Sequence, residues 1–270
     1  MKLSNIFSKR NRVLLRELVV TDFKLRYQGS ALGYLWSILK PLFLFAILYI
    51  VFDQFLRLGR DIQYFPVYLL TGIVLWTFFT EATNNGLQSI ISRGDLIRKV
   101  NFPKYIIVIS GTISSLINLG INLVVVGVFM ALQGVPVSFE ILWAIPLILE
   151  LYIFALALAF LLAALNVKYR DAGYIWEIFL QAAFYATPIL YPLAMVMDQS
   201  LIAAKIIMLS PVAQVIQDVR YFAITPDAVT GAQLYSHWYF IIIPFVIVAV
   251  AMLIGSLYFK KSSSQFAENI

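Results

Sequence analysis

Six long apolar segments run through this chain, and its basic residues gather at alternate ends of them. If the segments cross a membrane in turn, 15 of the 20 Lys and Arg residues share the side of the N-terminus. These are seven in residues 1–33, four in 92–104, Lys168, Arg170, Lys260 and Lys261. Lys40 lies at a membrane edge, and the other side holds Arg57, Arg60, Lys205 and Arg220. Because cytoplasmic loops carry an excess of Lys and Arg, this pattern predicts a multi-pass membrane protein with both termini in the cytoplasm.

Composition supports the same class. The chain is 61% hydrophobic and 13% charged, whereas about a quarter of the residues of an ordinary soluble domain are charged. The net charge of +6 lies next to the apolar segments, where it fits contact with anionic lipid headgroups rather than nucleic acid. The absence of cysteine excludes disulfides and thiol chemistry, and a single histidine, His237, argues against a metal site. The polar, basic first 30 residues do not resemble a cleavable signal peptide.

The fold class predicted is an all-α integral membrane domain that occupies residues 1–270. Each apolar segment reaches the ~20 residues that cross a bilayer, and a spanning segment must satisfy its own backbone as a helix. The six predicted spans are 34–56, 65–91, 105–132, 140–165, 174–190 and 238–259.

Residues 11–28 predict an amphipathic helix that lies in the membrane interface. Apolar residues supply one side (Val13, Leu14, Leu18, Phe23, Leu25), and basic residues supply the other (Arg12, Arg16, Lys24, Arg26). The segment is too charged to span the bilayer. The alternative is an ordinary surface helix.

The segment between the last two spans does not fit a simple hairpin of helices. Its apolar runs of ~10–15 residues are too short to span, and they are separated by Pro188, Pro192, Pro211 and Pro226. We therefore expect two short re-entrant helices in 193–224, which dip in from the outer side and are broken at Ser210–Pro211. The alternative is one more pair of true spans with unusually short helices.

Polar and aromatic residues form stripes at helical spacing inside three spans. The stripes are Phe45, Tyr49 and Phe52; Thr77, Glu81, Asn84 and Gln88; and Tyr174, Glu177, Gln181, Tyr185 and Pro188. Ionisable groups at membrane depth face a protein interior or a wet cavity. Rings that stack on sugars, beside amides and carboxylates that bind hydroxyl groups, predict a pathway for a carbohydrate polymer. The alternative is that these groups hold packed helices together by hydrogen bonds.

The loop 92–104 predicts a docking element on the cytoplasmic side. Arg93, Asp95, Arg98 and Lys99 surround Leu96 and Ile97, so a short charged helix would present an apolar knob. The alternative is a solvated connector. The chain has no GxxxxGK[ST] phosphate loop, so any ATP hydrolysis would belong to another chain, and no catalytic set is evident.

Residues 18–42, LVVTDFKLRYQGSALGYLWSILKPL, resemble the N-terminal signature of the ABC-2-type polysaccharide export permeases. Asp22, Lys24, Arg26, Tyr27, Ser30, Leu32, Gly33, Trp36 and Pro41 stand at matching places, while Thr21 replaces a frequent Arg. LIRKVNFPK (96–104) resembles the coupling element of that family, and NVKYRDAGY (166–174) resembles its turn before span five. ATPILYP (186–192), Ser210–Pro211 and Arg220 resemble its segment between spans five and six.

The resemblance implies the membrane subunit of an ABC exporter in the bacterial inner membrane. Two copies would form the channel and two copies of an ATPase chain, which would hold the ATP and Mg²⁺, would bind from the cytoplasm. The cargo would be a polyisoprenyl-linked polysaccharide such as O-antigen, a capsular polymer or teichoic acid. It also implies three groups of site residues. The residues that couple the permease to the ATPase would be Arg93, Asp95, Leu96, Ile97, Arg98 and Lys99. The interfacial helix would contribute Arg16, Asp22, Lys24, Arg26 and Tyr27, and an outer gate would contain Pro188, Tyr191, Pro192, Pro211 and Arg220.

Three other functions remain open on the sequence. A related permease could carry a drug or another lipid. An ion-coupled secondary transporter could use Glu81 or Glu177 as a proton site. A membrane-embedded glycosyltransferase would need clustered catalytic residues at one interface, which the sequence does not provide.

Overall fold

The structure is a computed structural model that describes residues 9–26, 29–57, 62–100 and 102–266. Phe23, Leu25 and Arg26 are described by their backbone alone. Tyr27 and the side chain of Arg26, both assigned to the interfacial helix from sequence, therefore lie outside the described residues.

The described part of the chain is helical throughout and contains no β-strand, which confirms the all-α prediction. Its α-helices are α1 (Lys9–Arg26), α2 (Trp36–Tyr49), α3 (Phe65–Ser89), α4 (Gly94–Lys99), α5 (Tyr105–Gln133), α6 (Ala144–Lys168), α7 (Ala172–Ala186), α8 (Leu193–Gln199), α9 (Leu201–Met208), α10 (Pro211–Ala223), α11 (Gly231–Leu234) and α12 (Trp238–Ser262). A π-helical segment, Ile50–Phe55, extends α2, and short 3₁₀ turns precede α2, α4 and α6.

Five helical segments of the described chain are long and apolar enough to cross a membrane: Gly33–Phe55, Phe65–Ser89, Tyr105–Gln133, Phe139–Lys168 and Trp238–Ser262. They lie within a few residues of five of the six predicted spans. Local chemistry explains several ends. Pro66 occupies the first turn of α3, where its missing N–H costs nothing. Gly134 ends α5 with a φ of 69°, which glycine adopts without strain.

The fifth predicted span, 174–190, is shorter in the structure than in the prediction. The helix α7 has 15 residues, or about 22 Å at 1.5 Å per residue, which is less than the ~30 Å of the hydrocarbon core. Thr187 has an extended backbone, because the ring of the following proline disfavours the helical conformation at the preceding residue. The chain therefore leaves the helix before residue 190.

The segment 193–224 is broken where the sequence predicted. The helices α9 and α10 meet at Ser210–Pro211 with a bend of 97°. The prediction of two helices is wrong in number, because a further break at Ser200 separates α8 from α9. The backbone of Ser200 is extended, and its side-chain oxygen caps α9 by accepting a hydrogen bond from the N–H of Ala203 at 3.2 Å.

The helix α3 forms the centre of the bundle, since 78% of its most apolar window is buried. It packs against α5 and α6, and α12 covers the far side of α6. Two glycines permit close approach: a Cβ at Gly86 would overlap Ala159 of α6, and a Cβ at Gly255 would overlap the backbone of Ala157. Small residues at such crossings let transmembrane helices pack tightly.

One end of the bundle carries the helix α1, the helix α4 and the C-terminal part of the described chain. Leu18 of α1, Ile97 of α4, Phe259 of α12 and Phe266 share one buried apolar cluster there. Because most of the basic residues of the sequence lie at this end, we call it the basic end. The helices α8, α9 and α11 form a separate cluster with Leu193, Met208 and Tyr235.

Candidate functional site: an end for docking and a polar membrane face

The helices α1 and α4 are joined at the basic end by an ion pair. The guanidinium of Arg93, in the turn that leads into α4, donates a hydrogen bond to the carboxylate of Asp22 in α1. Both side chains are partly buried, with 19% and 23% of their surface exposed. Burial lowers the pKa of Arg93, but a guanidinium remains a cation in any protein environment. The pair therefore joins α1 and α4, which the sequence assigned to separate sites.

The predicted coupling residues divide between the inside and the surface. Ile97 is buried against the apolar cluster of the basic end, and Leu96 is half-buried beside it. The side chains of Asp95, Arg98 and Lys99 are exposed. The predicted apolar knob is therefore an anchor that holds α4 to the bundle, while a charged surface faces outward.

The interfacial helix shows a similar division. Leu18 is buried, whereas Arg16 and Lys24 are exposed. The helix packs on α5, so its apolar side meets the protein as well as any membrane. The Asp22–Arg93 pair joins α1 to the turn before α4, so the exposed charges of the two helices lie at the same end of the bundle.

A polar groove opens on the side of the bundle between α2, α3 and α5. It encloses about 510 Å³ and is lined by Trp36, Ser37, Lys40, Pro41, Thr77, Thr80, Glu81, Asn84, Asn85 and Asn118. The amide of Asn118 donates to Glu81 at 2.6 Å, and the amide of Asn85 donates to Ser115 at 2.8 Å. These bonds tie α3 to α5, so the groove combines helix packing with an open polar wall.

The polar stripe of α7 lies on the surface of the chain. Tyr174, Glu177, Gln181 and Tyr185 are all exposed, and 73% of Tyr174 and 69% of Tyr185 are accessible. The opposite side of α7 packs inward, where the indole of Trp176 donates to Thr83 of α3 at 3.2 Å. A charged Glu177 on an exposed face of a membrane protein is unfavourable against lipid, so this face requires a wet or protein neighbour.

The groove and the α7 stripe are two separate polar surfaces. Glu81, which bonds to α5, and the exposed Asn84 are three residues apart and both line the groove, so they share one face of α3. Thr83 bonds to α7 from a different face of the same helix. Thr77, Glu81 and Asn84 therefore line the groove, and the positions predicted in span five form the exposed stripe of α7.

The aromatic stripe of span one belongs to neither surface. Phe45 is buried and meets Phe129 of α5 edge-to-face with ring centroids 5.4 Å apart. Tyr49 stacks on Phe45 at 5.7 Å and lies 6.4 Å from Phe65, and Phe52 is half-buried. In this structure the three rings pack α2 against its neighbours.

The predicted gate residues lie at a corner of the fold that is held by several hydrogen bonds. Arg220 of α10 is fully buried. Its guanidinium carbon lies 3.6 Å from the centroid of the Tyr68 ring, which is a cation–π contact. Its guanidinium donates to the carbonyls of Tyr68 at 3.0 Å, Pro188 at 2.6 Å and Ile189 at 2.8 Å. One cation thus joins α3, α10 and the turn after α7.

The remaining gate residues complete this corner. Tyr191 donates its hydroxyl to the carbonyls of Tyr185 at 3.0 Å and Ala186 at 3.2 Å, which closes the end of α7. Pro188 and Pro211 are buried, and Pro192 is half-buried.

Sequence reasoning missed a buried polar contact between α6 and α10. Glu150 of α6 is buried with 7% of its surface exposed, and it faces Gln214 and Asp218 of α10. The available signal was a lone carboxyl in the apolar run IPLILELYIFALALAF. Such a residue marks a functional site by default.

Comparisons with known proteins identify a transporter family that covers most of the helices described above. The family model described as "ABC-2 type transporter" matches residues 13–224. That range begins in α1 and ends just beyond α10, so it includes the ion pair, the polar groove, the α7 stripe and the Arg220 corner.

Three relatives are similar over most of the chain, and each is named O-antigen export system permease protein RfbA. The relative from Myxococcus xanthus is 35% identical over 190 residues, 70% of this chain and 72% of its own length. A relative from Klebsiella pneumoniae is 30% identical over 269 residues, 98% of this chain and 99% of its own length. Another from the same organism is 29% identical over 256 residues, 94% of each chain.

Proposed function

This chain belongs to the ABC-2 type transporter family, and from that premise we propose that it is the membrane subunit of an exporter of lipid-linked polysaccharide, with O-antigen as the cargo. Membership makes the chain a multi-pass transporter subunit that works with an ABC ATPase rather than an enzyme. The names of the relatives support O-antigen, because two of them align with this chain over nearly its whole length. A capsular polymer, a teichoic acid or another lipid would be a different cargo for the same permease.

The observation that carries the proposal is the exposed polar stripe of α7, together with the open polar groove between α2, α3 and α5. In one chain the stripe borders the membrane, where Glu177 and Gln181 have no favourable partner in lipid. A second copy that places the same surfaces opposite would enclose a path lined by tyrosine rings, amides and carboxylates. We therefore propose a homodimer with the path between its subunits and two ATPase copies at the basic end.

The orientation follows from charge. The basic end holds the ion pair and the exposed Arg98 and Lys99, and the positive-inside rule places such an end in the cytoplasm. The bacterial inner membrane and cytoplasmic termini are part of the same proposal. On this orientation the groove beside Lys40 and Glu81 begins near the cytoplasmic surface and reaches the middle of α3, which suits the uptake of a charged lipid headgroup and its sugars.

The mechanism uses rigid elements. Closure of the ATPase dimer on ATP moves α4, and the Asp22–Arg93 pair transmits the movement to α1. Because α1 packs on α5 and α3 is bonded to both α5 and α7, the movement shifts the polar surfaces of the two subunits relative to each other. The path between the subunits then opens, and the polymer advances towards the outer side.

Co-purification tests the proposal directly. The tagged chain is isolated from native membranes and its partners are identified by mass spectrometry, while surface O-antigen is measured in cells that lack the chain. We expect an ABC ATPase in equal amount, loss of surface polymer and retention of lipid-linked polymer inside the cell. Transport that persists without an ATPase, is driven by a proton gradient and is abolished by Glu177→Gln would contradict it and identify a secondary transporter. An ATPase partner with unaffected O-antigen would instead assign another cargo.

A further inference from the structure

A cluster of carboxyl and amide groups lies buried between α6 and α10, apart from the polar groove and the α7 stripe. It consists of Glu150 on α6 and Gln214 and Asp218 on α10, and we call it the carboxyl cluster. Glu150 and Gln214 expose 7% and 5% of their surface. The amide nitrogen of Gln214 donates to Oδ2 of Asp218 at 2.6 Å, since residues four apart share one helix face.

The cluster contains more acceptors than donors. Both carboxyl oxygens of Glu150, Oε1 of Gln214 and Oδ1 of Asp218 are buried, and none has a hydrogen-bond partner among the described residues. If both carboxyls were ionised, all four atoms would be acceptors without a donor. Leaving a buried polar atom unpaired costs about 1–3 kcal/mol, and more for a charged group, so something absent from this set must supply hydrogen or positive charge.

The neighbouring groups do not supply it. The amide nitrogen of Gln214, which lies near both carboxyls, is engaged with Asp218. The amide nitrogen of Gln217 is buried and makes no hydrogen bond to any of the four oxygens. Arg220, on the same helix, directs its guanidinium to the carbonyls of Tyr68, Pro188 and Ile189 and to Gln217. The hydroxyl of Tyr68 on α3 donates to Gln217 at 3.2 Å. Of the other elements packed against α6 and α10, α3 carries Glu81, which bonds to Asn118 of α5, and α7 carries Glu177, which is exposed. The 3₁₀ turn before α6 carries Glu140, which is exposed, and α9 carries Lys205, which is half-exposed. The charges of α12 are at the basic end.

We propose that the carboxyl cluster is a proton-binding site. A proton on Glu150 turns one of its oxygens into a donor to Oε1 of Gln214, and the amide nitrogen of Gln214 already donates to Asp218. The result is a chain of two hydrogen bonds across the helix interface with at most one negative charge. The described residues contain no group of three or more His, Cys, Asp or Glu that could hold a metal ion, so a proton fits the site better than a cation.

Loss of the proton would weaken the contact between α6 and α10. It would remove the donor to Gln214 and place two like charges at a buried interface, where they repel strongly. The folded chain therefore binds more protons than the unfolded chain, and its stability falls as pH rises. Since α10 belongs to the segment proposed as an outer gate, the site would let external pH act on that segment. Proton binding itself does not depend on the gate or on the cargo.

The test is the pH dependence of stability of the purified full chain in detergent, measured as thermal unfolding from about pH 5 to about pH 9. For the unmodified chain we expect the folding equilibrium constant to fall with pH, by up to roughly tenfold per unit where it is steepest. Glu150→Gln retains a donor without a charge, so it should match the low-pH stability and lose the pH dependence. In Asp218→Asn the fall of the folding equilibrium constant should end at a lower pH, because the negative charge of Asp218 no longer favours the proton on Glu150.

The matched control is Glu140→Gln, an exposed glutamate next to the same helix, which should follow the unmodified chain at every pH. The proposal is overturned if Glu150→Gln keeps the unmodified pH slope, or if Asp218→Asn leaves the pH range of the fall unchanged. It is also overturned if Na⁺ or K⁺, compared with choline, restores the stability lost at high pH, because the site would then bind a metal cation.

Discussion

Asp22 and Arg93 form an ion pair although 71 positions separate them in the sequence. The pair joins the helix that precedes the first span to the turn that enters α4. Only 19% and 23% of the two side chains are exposed, so breaking the pair costs more than the ~1 kcal/mol or less of a fully exposed pair. The pair also has a positional consequence: a partner that moves α4 also moves α1.

Charge reversal tests the pair. Asp22→Arg and Arg93→Asp each bring like charges together in a mostly buried contact, so each should reduce export per ATP hydrolysed and lower the free energy of unfolding by about 1–3 kcal/mol. The double variant restores opposite charges and should recover export. The measurement is ATPase activity and polymer export in reconstituted vesicles. A double variant no better than the single ones would show that the pair does not transmit movement.

The exposed charge of α4 should determine ATPase binding. Arg98→Glu leaves the buried anchor Ile97 intact, so the permease should fold normally but bind its ATPase more weakly by about 2 kcal/mol or more. Co-purification yield and export measure the effect. Lys261→Glu makes the same charge change at an exposed position of the same end, and it should retain both. Equal losses in the two variants would mean that only the net charge of the basic end matters.

Gly72 should be intolerant of a side chain because of Arg220. A Cβ at Gly72 would overlap the guanidinium of Arg220, which is fixed by its bonds to three carbonyls and cannot withdraw. We expect Gly72→Ala to lower the free energy of unfolding by about 1–3 kcal/mol, as overpacking does. Gly120→Ala is the control, since no atom lies within 4 Å of the Cβ it would add. Similar melting temperatures for the two variants would contradict a rigid Arg220 corner.

The tyrosines of α7 should affect transport and not stability. Tyr174→Ala and Tyr185→Ala remove exposed rings, so the stability of the isolated chain should change by no more than about 0.5 kcal/mol. If each ring contributes about 1 kcal/mol of contact to the moving polymer, export should slow roughly fivefold. Ile175→Ala, which is 67% exposed on the same helix but outside the stripe, should export normally. Equal export in all three variants would remove α7 from the path.

Several elements could be predicted from sequence because their causes are local. The five long spans follow from runs of apolar residues, and the basic end follows from the positions of Lys and Arg around them. The break at Ser210–Pro211 follows from the chemistry of proline. The helix α1, predicted as 11–28, lies at Lys9–Arg26. The four α7 residues Tyr174, Glu177, Gln181 and Tyr185 do share one exposed face, as helical spacing predicted.

Other features depended on contacts between distant segments. Helical spacing grouped Tyr174 with the stripe of α7 and Phe45 with the stripe of span one, and both stripes were predicted to line a pathway. In the structure Tyr174 is exposed, whereas Phe45 packs against Phe129. Arg220 was assigned to a gate by resemblance, and the structure adds that it is fully buried against carbonyls 31, 32 and 152 positions away. A spacing rule states which residues share a face, but it does not state what that face meets.

The sequence by itself determined which segments enter the membrane and which end is basic, because transfer of each segment from water to lipid is set by that segment's own side chains. Tertiary structure alone decided that Asp22 meets Arg93, that α7 ends before it crosses the hydrocarbon, and that Glu150 faces Gln214 and Asp218. Those outcomes depend on how helices pack, and the energy of a packed pair belongs to both partners rather than to either stretch of sequence.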